Sequence, residues 1–207
     1  MRVQPQQGLL QLVRQFGLVD AQTAQGALAT FSRLVNERNY REMGFDSVGQ
    51  VQSATLGMPI HAFMVRLDSL RQYQPGQDPT GLLRPIPSVT FPVVAEEQSR
   101  SSLTLARRGM TWETVSVGAP NKTRSIDSLR TRLAQQEGQS PEAYFEVRIP
   151  ALSIQFLGIQ RGGQLFLTPL WSDPRFQFVV GTTLPASDAF ARMVQAAREH
   201  NGQPGIE

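Results

Sequence analysis

The chain has 207 residues, 40% of them hydrophobic and 18% charged, with 20 basic and 17 acidic side chains and a formal net charge of +3. These proportions describe an ordinary globular protein long enough to bury a core. So small a basic excess, spread along the chain, lacks the clustered stripe that nucleic acid calls for, and the absence of cysteine excludes disulfides and thiolate metal sites.

Leu9, Leu12, Val13 and Phe16 recur at helical spacing up to Gly17. Asp20 is an N-cap for a second helix whose apolar face is Ala24, Leu28, Phe31 and Val35; the charged stretch 36–41 then leads into solvent. Ser47 and Gln50 have capping-box spacing and open a short helix carrying Val48, Val51 and Leu56 that stops at Gly57. Residues 59–67 read as a strand apolar on both faces. Residues 73–87, rich in Pro and Gly, read as a flexible loop.

Three short strands follow at hairpin spacing: 89–95, demoted toward an edge by Pro92, then 101–107 and 111–117, joined through Arg108-Gly109-Met110. Ser125 caps a helix with Ile126, Leu129 and Leu133 inward, closed by Gly138. Residues 143–170 hold the longest hydrophobic run, read as two strands turning at Gly162-Gly163, which supply the positive φ angles of a tight hairpin. We expect this hairpin at the centre of the sheet. Phe176, Phe178 and Val180 alternate like a last strand. Pro185 opens a final helix with the stripe Phe190, Met193, Val194 and Ala197, and with His200 in its last turn.

The expected fold is α+β: an antiparallel sheet of hairpins packed by helices on one face. Residues 1–42 form a helical segment, 43–200 the α+β domain and 201–207 a loose tail. Residues 63–70 and 145–152 share Phe-x-Val-Arg-(Leu/Ile)-x-x-Leu, so two related helix-then-strands halves, 43–120 and 121–200, are the alternative.

Neither His61 nor His200 has a second ligand at metal spacing, and no cofactor fingerprint or nucleophile elbow occurs. No metal, cofactor or catalytic residue is assigned. Glu37, Glu42 and Asp46 lie beside Arg38 and Arg41 and read as a mutually paired surface. The candidate binding residues sit at or near hairpin tips: Arg107, Arg108 and Trp112 at one, Arg161 at the other, and Trp171 after it. Arginines beside aromatics suit phosphate or carboxylate groups, and the competing reading has the arginines merely exposed and the tryptophans in the core.

No apolar run reaches the ~20 residues that span a bilayer. The start Arg2, Gln4, Pro5, Gln6, Gln7 is not a signal peptide, and it suits a cytoplasmic protein or one whose signal has been removed. The order helix, strand and antiparallel strands ending in Thr111–Gly118 resembles, over Phe45 to Gly118, the cystatin-like and PepSY-like modules of exported bacterial proteins. That resemblance implies a binding or inhibitory domain without catalytic residues. Leu152–Gln155, Gly163-Gln164 and Thr168–Leu170 together resemble the C-terminal strands of Tic-type translocon proteins. There the next helix begins almost at once, whereas here Trp171 to Pro185 intervene, and no membership is assigned. The leading expectation is therefore a non-enzymatic protein-binding or structural module of a bacterial protein. An enzyme with a small-molecule pocket and a weak nucleic-acid binder acting through the arginine tips are the alternatives.

Overall fold

A computed structural model describes residues 8–14 and 18–201. Phe16 and Gly17 of the first expected helix and residues 202–207 of the tail lie outside the described residues. In chain order the elements are α1 (Leu9–Arg14), α2 (Ala21–Leu34), α3 (Val48–Gln52), β1 (Thr55–Leu56), β2 (Ile60–Val65), α4 (Leu67–Arg71), β3 (Leu83–Ala95), β4 (Gln98–Arg108), β5 (Thr111–Val117), α5 (Pro120–Glu137), β6 (Tyr144–Ile149), β7 (Ile154–Arg161), β8 (Gln164–Pro169), β9 (Leu184–Pro185) and α6 (Ala186–Glu199). This is an α+β fold with a mixed, mostly antiparallel sheet. The chain divides into two compact units, one of Met1–Gln15, Ala62–Ile86 and Ala143–Glu207, the other of Phe16–His61 and Pro87–Glu142.

In the first unit the strands run β2-β6-β7-β8-β9; β2 and β6 are parallel and the remaining pairs antiparallel. Phe63 and Val65 of β2, Phe145, Val147 and Ile149 of β6, Phe156 of β7 and Leu165 and Leu167 of β8 share one buried cluster. Leu9 of α1, Leu70 of α4 and Phe190, Met193 and Ala197 of α6 complete that cluster, so these helices cover a single face of this sheet. The expected inward stripe of α6 is the observed one, with Val194 at its margin. Burying each such large apolar side chain contributes about 1.5–3 kcal/mol before conformational entropy is subtracted.

The 143–170 run differs from its expected form. It makes three strands rather than two, because Pro150–Leu152 forms a 3-10 turn and Ser153 takes positive φ (56°). That turn folds β7 back onto β6 with Ile149 opposite Ile154. The second reversal is the one expected: Gly162 and Gly163 have φ of 55° and 81°, and Arg161 pairs with Gln164.

The residues 73–87 are likewise not a floppy loop. Tyr73 is buried edge-on to Phe190 at 5.8 Å, Pro79–Leu82 form a 3-10 turn, and Leu82 and Leu83 are buried as β3 begins. The residues carrying the shared Phe-x-Val-Arg pattern each fold as a strand followed by a helical turn, β2 into α4 and β6 into the 3-10 turn. Leu67, read as strand, thus opens a helix.

In the second unit β1, β3, β4 and β5 pair antiparallel in that order. Asp20 caps α2 as expected, accepting from Thr23 N at 2.8 Å, and Ala24, Leu28, Phe31 and Val35 enter a core with Phe45, Phe91, Val93, Leu103 and Leu105. Ser47 accepts from Gln50 N at 3.3 Å, while the Gln50 amide reaches one residue further back, to Asp46 N at 2.8 Å. Leu56 belongs to β1 rather than to α3.

Pro92 does not mark an edge. β3 pairs with β4 and β1, and the Pro92 carbonyl accepts from Gly57 N at 2.7 Å. A residue's N–H and C=O point the same way across a strand, so the missing donor faces the side where β1 has just ended.

Helix α5 starts at Pro120, five residues ahead of the expected Ser125 cap. Ala119 in the left-handed region (φ 54°) turns the chain, and proline at the first helical position has its φ already set. Gly138 (φ 63°) ends the helix as expected. Arg130 of this helix is 2% exposed; it donates to Met58 O and Pro59 O at 3.1 Å each and to Asp127 at 2.5 Å.

Gly158 of β7 lies opposite Phe145, and a Cβ there would stand 2.6 Å from the ring that packs edge-on to Phe63 at 4.9 Å. Gly158→Ala therefore forces that ring out of its place. It should lower stability by about 1–3 kcal/mol, read as a fall in the urea midpoint at unchanged slope.

Candidate functional site

The candidate site lies in the first unit, where β8 ends and residues 171–183 carry the chain to β9. Asp173 closes a 3-10 turn at Pro174–Phe176 by accepting from Arg175 N at 3.0 Å. Asp173 and Phe178 then exchange backbone hydrogen bonds of 2.9 and 3.0 Å. The expected strand 176–180 is absent because Gln177 adopts positive φ (55°), which breaks the extended run. Phe176 and Phe178 are both buried even so, Phe178 lying edge-on to Phe156 at 5.2 Å.

The rest of the segment is pinned as well. Val180 N donates to Ser172 Oγ at 3.0 Å, Gly181 N to Pro169 O at 3.1 Å, and the hydroxyls of Thr168 and Thr183 meet at 2.7 Å. Arg192 of α6 donates to Gln177 O at 3.1 Å.

Three large apolar side chains remain outside: Trp171 is 50% exposed, Val179 59% and Val180 53%. Beside Trp171 is a cleft of about 360 Å³ lined by Ser153, Ile154, Gln155, Ser172, Asp173 and Phe178. Arg175 clamps Asp173, with Nη2 2.7 Å from Oδ2 and Nε 3.0 Å from Oδ1, and Nη2 also donates to Leu152 O at 3.1 Å. The hydrogen bonds from Arg175 hold the Asp173 carboxyl below the usual carboxylate range, and Asp173 in turn raises Arg175.

The other candidate residues are distributed over both units. Arg107 and Trp112 are cross-strand partners in β4 and β5, and Arg107 Nε donates to Gly109 O at 3.0 Å. Trp112 packs half-buried against the core of the second unit, and Arg108 faces Glu113 at 3.5 Å. Arg161 places its guanidinium 4.3 Å from the centre of the Phe166 ring. Arg161 and Trp171 stand beyond opposite ends of β8, about 20 Å apart at strand rise, so they do not form one site. Asp46, expected to pair with arginines 38 and 41, bonds instead to Arg100 at 2.8 Å.

Sequence reasoning singled out Trp171 but missed its cleft and the two valines, because Phe176, Phe178 and Val180 alternate as a strand does. The Asp173-Pro174 step, a capping residue before a fixed φ, and Gly181 were the signals against that reading. Among the described residues no group of three or more His, Asp or Glu side chains gathers as a metal site. No helix of the described residues is long and apolar enough to cross a membrane. Neither a family model, a curated protein nor a solved structure matches the chain.

His61 is largely withdrawn from water, and its buried Nδ1 has no hydrogen-bond partner. Burial pulls its pKa below the ordinary value of 6.5. The unfolded chain therefore binds a proton that the fold resists. Stability should be complete above pH ~6.5 and fall as pH drops below it, and His61→Gln should flatten that slope in urea titrations at stepped pH.

Proposed function

We propose that the protein is a non-enzymatic binding module that docks a protein partner through the segment 171–183. One observation carries the reading: Trp171, Val179 and Val180 are held out to solvent by a backbone that is itself pinned. A floppy loop would lose affinity to its own ordering on binding, whereas a pre-ordered one does not. Tryptophan in addition contributes more binding energy than its frequency at interfaces suggests. An exported bacterial setting is part of the proposal only through the likeness of Phe45–Gly118 to modules of such proteins.

The test is selection from a displayed random-peptide library on the wild type and on the double variant Val179→Asp, Val180→Asp. Both positions are exposed, so the variant should keep its circular dichroism and melting temperature. Sequences enriched on the wild type should bind the variant at least ~10-fold more weakly. Equal binding to both proteins, or no enrichment on the wild type, would sink the reading.

A further inference from the structure

We infer that the cleft beside Trp171 takes one neutral, apolar side chain of an extended peptide, with the Gln155 amide bonding to the peptide backbone next to it; this rests on the docking role proposed for the 171–183 segment. The cleft's lining is mixed: Ser153, Gln155, Ser172 and Asp173 are polar, and its apolar part is Ile154 and Phe178, 6% and 3% exposed, with half-exposed Trp171. At about 360 Å³ it lies at the small end of ligand pockets, with room for an apolar side chain and the backbone beside it.

Its electrostatics select against charge. Asp173 is the one ionisable residue in the lining, and Arg175 already occupies both of its oxygens through Nε and Nη2 while its backbone N–H adds a third donor. A cationic guest would have to displace that clamp. An anionic guest would meet a carboxylate with its counter-ion already engaged. Burying either charge without a partner is costly, so an aliphatic or aromatic side chain is the guest that loses least.

Gln155 supplies the polar contact. Its backbone is committed, the carbonyl accepting from Leu170 N at 3.1 Å. The side-chain oxygen Oε1, by contrast, is buried with no hydrogen-bond partner. Turning this amide about its last torsion therefore breaks no bond from Oε1, so it can present either a donor or an acceptor to the cleft. A peptide unit needs both. Ser172 Oγ accepts from Val180 N and keeps its O–H to donate, so it can add a bond beside that of Gln155.

The experiment is titration calorimetry of the full chain with capped octapeptides of Ser and Thr around a central residue X. The peptide with X = Leu should bind, and those with X = Asp or Lys should bind at least ~10-fold more weakly. Gln155→Leu should weaken the Leu peptide about fivefold or more. Should that variant fail to melt cooperatively, Gln155→Glu replaces it and should weaken binding in the same sense. Equal affinity for Leu, Asp and Lys peptides, or an unchanged affinity in the Gln155 variant, overturns the assignment. The two readings fail separately. Library sequences lost on the valine double variant but indifferent to Gln155 leave the docking segment standing and remove the cleft, whereas a library without enrichment removes both.

Discussion

Strand β6 is the member on which the first unit depends. Its neighbours are β2 on one side, in parallel register with Phe63 opposite Val147, and β7 on the other. Five of its six residues are buried, so neither face is free to meet water. That position forces a polar accommodation, because Glu146 is 2% exposed and its carboxylate takes a hydrogen bond of 2.5 Å from Arg148 two residues along the same face. A buried strand must also have both edges paired. The 3-10 turn at Pro150–Leu152 supplies the second partner by returning β7 directly alongside it.

The same economy of connection shapes the segment 171–183, for which docking is proposed. Where β8 runs out at Pro169 the sheet resumes only at Leu184, and the residues between are held by their own side chains and by Arg192 of α6. Asp173 and Arg175 fix the first half, Ser172 and Arg192 the second. Phe176 and Phe178 anchor it below through the ring cluster with Phe156. The exposed apolar residues are thus presented by a hydrogen-bonded framework that is not a strand and has no strand's unpaired edge.

Much of the fold was readable where one local rule acted alone. Asp20 as a cap, Gly138 as a stop, Gly162-Gly163 as a turn and the stripe of α6 each depend on a few neighbouring residues, and each is in place. The misreadings arose where tertiary contacts overruled a local pattern. Tyr73, Leu82 and Leu83 sit among prolines and glycines that suggest a loop, but burial in the core orders them. Pro92 looked like an edge residue because nothing nearby in sequence shows that β1 stops beside it. Of the site, only Trp171 was legible. The cleft is built from residues 153–155 and 171–178, and no short-range pattern announces that Gln155 and Trp171 adjoin.

The pairing of Ala62 with Glu146 has a consequence for how the chain is made. Synthesis proceeds from the N-terminus at ~5–20 residues per second, so β2 and α4 leave the ribosome several seconds before their partner strand exists. During that interval Phe63, Val65, Leu70 and Tyr73, all buried in the finished protein, lack the β6 and α6 side chains that cover them. The hairpins β4–β5 and β7–β8 close locally as soon as they are translated, whereas this parallel contact carries the cost of a long loop closure. The nascent protein therefore passes through a stage in which these side chains are uncovered, and it lasts until α6 has been added.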